Sequence, residues 1–174
     1  KHTLSWYSSA YWTAKVGVDV LQLQYEHREK IRARIGCHQL LQQLKNRGYR
    51  CWLLTNADRA GLQLKLENIE LSPYFEVMVS SEELGHAKEQ VAFWQKLQQL
   101  HPFNPAQAVF VDDTVAVLES AEDFGIAQLF SILQPSSAKP ARAATELPYP
   151  ALDHLTELVD YLEIKLQDTD AKTA

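Results

Sequence analysis

From Gly36 to Leu162, short continuous apolar runs alternate with segments whose apolar residues recur at helical spacing. This alternation constrains the fold more than any other feature of the chain. A short run that is apolar throughout suits a strand buried on both faces. Strands of that kind separated by helices imply a parallel sheet with helices on both sides. Residues 38–47 carry Leu40, Leu41 and Leu44 on one stripe, and Gly48 is a natural helix stop. Residues 49–54 read as a buried strand, broken by Thr55-Asn56-Ala57-Asp58. Leu62, Leu66 and Ile69 mark a helix. Residues 74–79 read as a strand ending in Ser80-Ser81, and Val91, Trp94 and Leu97 mark the next helix. Residues 108–111 are a strand ending in Asp112-Asp113-Thr114. Val117, Leu118 and Ala121 form a helix that stops at Gly125, and residues 126–133 are the last strand. A loop with Pro135, Pro140, Pro148 and Pro150 follows, then a final helix on Leu152, Leu155, Val159 and Leu162.

The first 30 residues lie outside that alternation. Trp6, Tyr7, Tyr11 and Trp12 are aromatic at helical spacing and are expected to form one buried face. A second helix is expected after Gly17, over 19–28, and the charged stretch 26–34 reads as a solvated crossing. The expected organisation is therefore a partial helical cap over 1–33, an α/β core over 34–166 and a flexible polar tail over 167–174.

Charge and composition exclude several function classes. Lys+Arg is 17 against Asp+Glu 22, with no basic cluster, so polymeric nucleic acid and anionic membrane surfaces are poor partners. No apolar run approaches the roughly 18 residues of a transmembrane helix. No charged-then-apolar leader opens the chain, and Cys37 and Cys51 make neither a disulfide framework nor a zinc site, so a reducing cytoplasm is expected. Residue 1 is Lys and the only Met is Met78, which reads as a fragment or a processed product.

In an open parallel sheet, ligands bind beyond the carboxyl ends of the strands. Thr55-Asn56 follow the first strand, Lys88 lies on the way from the second strand to its helix, and Asp112-Asp113 follow the third. A hydroxyl, an ammonium and a carboxylate pair at one sheet edge suit a phosphate with a hard divalent cation. Carboxylates hold Mg²⁺, a lysine neutralises phosphate charge, and a hydroxyl with backbone N–H groups bonds the phosphate oxygens. Each feature also has a structural alternative. Thr55-Asn56 can be a turn and helix cap, Lys88 a solvated surface lysine, and Asp112-Asp113-Thr114 a cap on the next helix. Two adjacent carboxylates repel, however, and a cap needs one. The six histidines show no metal spacing and read as structural or surface residues. Cys37 precedes a helix with nothing beside it to activate a nucleophile.

Leu53-Leu54-Thr55-Asn56-Ala57, then Lys88, then Val109-Phe110-Val111-Asp112-Asp113-Thr114 resemble the second, third and fourth motifs of the haloacid dehalogenase-like hydrolases. The N-terminal residues His2-Thr3-Leu4-Ser5-Trp6-Tyr7, Tyr11-Trp12 and Val16-Gly17-Val18-Asp19 are similar to the cap of its GMP/IMP nucleotidase group, and Gly85-His86-Ala87-Lys88-Glu89 and Phe124-Gly125-Ile126-Ala127 are similar to other parts of that group. The resemblance implies a three-layer Rossmann-like parallel sheet. It also implies a Mg²⁺-dependent phosphomonoesterase of purine mononucleotides that works through an aspartyl-phosphate. Thr55, Asn56 and Lys88 would bind phosphate, with Thr55 and Lys88 catalytic, while Asp112 and Asp113 would serve the metal. The family's Asp-x-Asp nucleophile motif does not occur ahead of Thr55, where the acids are Asp19, Glu26 and Glu29. The first strand, which the resemblance puts between those ending at Thr55 and Asp112, is thus expected to be missing, and the chain alone to be inactive. Two rival readings stand beside this one: a phosphatase of another small ester such as phosphoglycolate or a sugar phosphate, and a non-catalytic binding module of the same fold.

Overall fold

A computed structural model describes residues 3–136 and 138–163. The expected tail, 167–174, lies outside them. Two all-parallel sheets form the middle layer. In the first, β1 (Trp52–Thr55) pairs with β2 (Val77–Ser80), in register from Trp52↔Val77 to Thr55↔Ser80. In the second, β3 (Val109–Val111) pairs with β4 (Gln128–Ile132), and β4 with β5 (Ala151–Leu152). The helices are α1 (Leu4–Tyr7), α2 (Ser9–Val16), α3 (Val20–Glu26), α4 (Cys37–Asn46), α5 (Arg59–Asn68), α6 (Ser81–Leu84), α7 (Val91–Leu100) and α8 (Val115–Phe124). Residues 157–163 are also helical.

Strand side chains alternate between two cores, as period two requires. Trp52, Leu54, Phe110 and Leu129 join the cluster around Phe93, Trp94 and Leu118, on the side of α7 and α8. Cys51, Val109, Val111, Phe130 and Ile132 join the cluster of Leu40, Leu44, Leu152 and Val159, on the side of α4 and 157–163. Apolar residues thus leave the sheet on both faces, the physical basis of the continuous apolar runs. Gly125 shows how a helix is stopped. Its φ of 107° ends α8 in the left-handed region, and the Ile126 N–H returns to Ala121 O at 3.0 Å.

The two sheets do not join. Among the described residues β1 pairs with β2 alone and β3 with β4 alone, leaving one edge of each without a strand partner. Burial agrees with this. Every residue of β1 and β3 is only half-buried, whereas Leu129 to Ile132 of β4 are all buried. In a sheet covered on both faces the inner strands should be the best buried, so the reversal marks an open slot beside β1 and β3. It matches the gap expected between the strands ending at Thr55 and Asp112.

Three expectations are corrected. Leu152 belongs to strand β5, not to the final helix, and is fully buried. Ser131 N–H donates to Pro150 O at 2.8 Å and Leu133 N–H to Leu152 O at 2.9 Å, which recruits this segment to the sheet. Pro148 and Pro150 keep it extended. The N-terminal aromatics do not form one buried face: Trp6 and Tyr11 are each 39% exposed, and no apolar residue of α1, α2 or α3 is buried. Ser8 interrupts the helix and caps α2, accepting from Tyr11 N at 3.2 Å, so the rings pack edge to face on one another instead. The strand starting near residue 74 begins at Val77, because Ser72–Tyr74 forms a 3₁₀ turn with Pro73 near its start.

Cys37 and Cys51 are free and half-buried, and burial raises both thiol pKa values. Both should react with a thiol reagent at neutral pH more slowly than in denaturant, where burial no longer holds the thiols protonated. Equal rates in the two conditions would contradict this packing.

Candidate active site

The loops leaving β1, β2 and β3 meet at one place. Asp112 directly follows β3, and its N–H donates to Phe130 O at 3.1 Å, extending the ladder by one bond. Its Oδ1 accepts from Thr114 N at 2.9 Å, an Asx turn that leads into α8. Its Oδ2 accepts from Lys88 Nζ at 2.5 Å, and the two side chains are 8% and 10% exposed. Lys88 is therefore no solvated surface lysine. Its ammonium lies 5.7 Å from the Phe110 ring centroid, and its carbonyl accepts from the buried Trp94 indole at 3.1 Å. A charge held this deep needs its counter-charge, and Asp112 supplies it.

Asn56 completes the link to β1. Its Oδ1 accepts from Lys88 N at 2.9 Å and its Nδ2 donates to Glu89 Oε2 at 2.8 Å. Thr55 ends β1 with its Oγ1 accepting from Ala57 N at 3.1 Å. Neither residue caps α5. Asp58 does, accepting from Gly61 N at 2.8 Å. The sequence-predicted residues Asn56, Lys88 and Asp112 are thus joined by direct hydrogen bonds, with Thr55 adjacent to Asn56. Asp113 is exposed and takes part through its carbonyl, which accepts from Arg142 Nη1 at 3.1 Å.

Three residues of this region, Arg142, Glu89 and Tyr7, are not among the expected site residues. Arg142 comes back from the proline-rich loop to bond Asp113 O and Ile132 O, clamping the ends of β3 and β4, and its buried Nε has no hydrogen-bond partner among the described residues. Glu89 and Tyr7 extend the network toward α1, the Tyr7 hydroxyl donating to Glu89 Oε1. Burial and the Glu89 carboxylate raise the Tyr7 pKa, keeping the phenol protonated as a donor.

The donor set bears on a cation. Among the described residues no group of three or more His, Cys, Asp or Glu side chains could enclose a metal ion. One buried carboxylate, Asp112, stands at the strand end with Asp113 beside it. That set fits a hard ion such as Mg²⁺, which keeps several waters and takes other ligands from a phosphate. A carboxylate has about four lone-pair sites, so the two bonds Asp112 already accepts leave room.

The sequence model of the haloacid dehalogenase-like hydrolases matches residues 11–130. The chain belongs to this hydrolase family. A GMP/IMP nucleotidase, YrfG of Escherichia coli K12, is 30% identical to the hydrolase chain over 137 residues, covering 79% of it and 62% of the relative. The chain thus spans less than two thirds of that relative's length. Among solved structures, a HAD phosphatase from Thermococcus onnurineus superposes with a TM-score of 0.76 at 19% identity, covering 91% of this chain and 72% of that one. A predicted phosphoglycolate phosphatase from Haemophilus somnus gives 0.71 at 19% identity, covering 88% and 66%. At these identities the two structures establish the hydrolase fold alone. Among the described residues, no helix is long and apolar enough to cross a membrane.

Proposed function

We propose that this chain forms the phosphate- and cation-binding side of a Mg²⁺-dependent phosphomonoesterase that hydrolyses purine 5′-mononucleotides such as GMP and IMP in the cytoplasm. The observation that carries the reading is the buried Lys88–Asp112 pair at 2.5 Å, tied through Asn56 to the end of β1. A buried lysine and carboxylate at the carboxyl ends of parallel strands suit a ligand bearing negative charge and a divalent cation together.

In this reading Lys88 neutralises the phosphoryl oxygens and orients the attacking carboxylate, acting as a point charge. The Thr55 hydroxyl donates to a phosphoryl oxygen, and Asn56 holds the loop beneath it. Asp112 would hold Mg²⁺, supported by Asp113, and the ion would supply further neutralisation of phosphate charge. The attacking carboxylate would come from an Asp-x-Asp segment, a motif that does not occur ahead of Thr55, on a strand that would pair with the free edges of β1 and β3. It would attack phosphorus as the P–O bond to the nucleoside 5′-oxygen breaks, that oxygen leaving as the alcohol with a proton from the second carboxyl of the segment. Water would then hydrolyse the aspartyl-phosphate to inorganic phosphate and the free carboxylate. Helices α1 to α3 are read as part of a cap over the same edge.

Purine nucleotides are favoured because the nucleotidase relative is named for GMP and IMP and matches most of this chain. The second reading, phosphoglycolate or another small phosphate ester, rests on the fold neighbour of that description. Initial rates of the full-length protein on GMP, IMP, phosphoglycolate and sugar phosphates separate the two. The expected result is a kcat/KM for GMP or IMP at least about tenfold above the others, or about 1.4 kcal/mol in transition-state binding. A preference for phosphoglycolate supports the second reading, and no turnover of any ester favours a binding module.

A polypeptide limited to residues 1–174 should hydrolyse none of these esters. Lys88 and a cation cannot replace a nucleophile in a covalent route. Turnover of GMP or IMP by that polypeptide in pure form would contradict the assignment of the nucleophile.

A further inference from the structure

The N-terminal helices are fastened to the core by polar straps. At the end of α1, the Tyr7 hydroxyl donates to Glu89 Oε1, and Glu89 Oε2 accepts from Asn56 Nδ2 at 2.8 Å. The other end of the Asn56 carboxamide accepts the Lys88 N–H at 2.9 Å. At the start of α2, Ser9 N–H donates to Asp58 Oδ2 at 2.5 Å, and both residues are 8% exposed. The two straps flank a cleft of about 260 Å³ whose wall includes Tyr7, Tyr11, Asn56 and Asp58.

The first strap has a directional logic. Glu89 accepts and cannot donate while ionised, so it orients the amide end of Asn56 toward itself. The carbonyl end of Asn56 is then the one that faces the Lys88 N–H. Turning the carboxamide over would set an N–H₂ against an N–H and a carbonyl against a carboxylate. Tyr7, whose raised pKa keeps its proton, supplies a charge-assisted bond to the same carboxylate. No apolar residue of α1 to α3 is fully buried, so these polar bonds contribute to docking beside the half-buried Leu4, Tyr7, Trp12 and Leu21.

We propose that Tyr7 is a positioning residue for Lys88: the Tyr7–Glu89–Asn56 strap sets the backbone of Lys88 only while α1 is docked. Docking of the N-terminal helices and formation of the Lys88–Asp112 site are then one coupled event. The importance of this for phosphate binding rests on the role of Lys88 given above.

The test is amide hydrogen exchange of the full-length protein, without substrate, for wild type, Tyr7→Phe, Glu89→Gln and the control Tyr11→Phe. The expected result is that Tyr7→Phe and Glu89→Gln each speed exchange of the Lys88 N–H by about tenfold, the loss of one charge-assisted bond. Amides of β4 should be unchanged, and Tyr11→Phe should leave Lys88 at the wild-type rate. Acceleration confined to α1 and α2, with Lys88 unchanged, would overturn the coupling and leave Tyr7 a local anchor. If Tyr7→Phe fails to fold, Glu89→Gln, which keeps side-chain size, gives the same reading. A changed Lys88 rate in a protein with no phosphatase activity keeps the strap and removes the function. An unchanged rate in an active phosphatase does the reverse.

Discussion

Replacing Asp112 by Asn in the full-length protein should lower Mg²⁺-dependent hydrolysis of GMP or IMP by about 10²–10³-fold. The change keeps the shape of the side chain and removes its charge. Asp112 accepts from Lys88 Nζ at 2.5 Å with both groups nine-tenths buried or close to it. Asn presents at best one carbonyl oxygen where the carboxylate offers two, and that oxygen must serve both Lys88 and Thr114 N. The Lys88 ammonium is left buried without a counter-ion, and breaking a buried pair in this way costs about 3–5 kcal/mol. The variant should therefore also melt at a lower temperature. Activity within twofold of wild type would contradict a metal role for Asp112.

Lys88→Met should have an effect of similar size, with a different signature. Methionine keeps much of the stem that packs near Phe110 and loses the charge. Inorganic phosphate, the product of every phosphomonoesterase, should inhibit wild type and fail to inhibit this variant at the same concentration. Asp112→Asn removes the proposed cation ligand and should leave part of the phosphate inhibition in place. Lys88→Arg should not restore activity, because a planar fork does not fit a site shaped around a point charge. Full phosphate inhibition in Lys88→Met would remove Lys88 from the site.

The parallel α/β architecture was legible because strands buried on both faces have no polar alternation to confuse with anything else. Phe110 faces one core while Val109 and Val111 face the other, and the run is apolar as a result. The convergence of Asn56, Lys88 and Asp112 was legible for a topological reason: each sits where a chain leaves the same edge of a parallel sheet. Its details were not. Nothing local distinguishes Lys88 from a surface lysine, since its burial comes from Trp94 and Asp112, 6 and 24 residues away. The Tyr7–Glu89 bond spans 82 positions, and the Arg142 clamp on Asp113 spans 29. Sequence spacing carries no signal for such pairs. The spacing of Leu152 to Leu155 and Val159 suits a helix, while backbone bonds from β4 and Leu133 to this segment make it a strand.

The open slot bears on stability. Among the described residues, the half-buried strands β1 and β3 present backbone groups with no strand partner on one side. Backbone groups buried without partners cost about 1–3 kcal/mol each, and an exposed edge pairs readily with other chains. A polypeptide limited to residues 1–174 should self-associate or show rapid exchange of the β1 and β3 amides. A stable monomer with slow exchange in those strands would show that the slot needs no further strand.

The most direct test of the central claim is phosphate release from GMP and IMP by the full-length protein, measured with Mg²⁺ and with excess chelator, for wild type and Asp112→Asn. Expected are turnover by wild type with Mg²⁺, loss of it in chelator with recovery on adding Mg²⁺ back, and little turnover by the variant under either condition. Equal wild-type rates with Mg²⁺ and with chelator, or hydrolysis unaffected by Asp112→Asn, would contradict it.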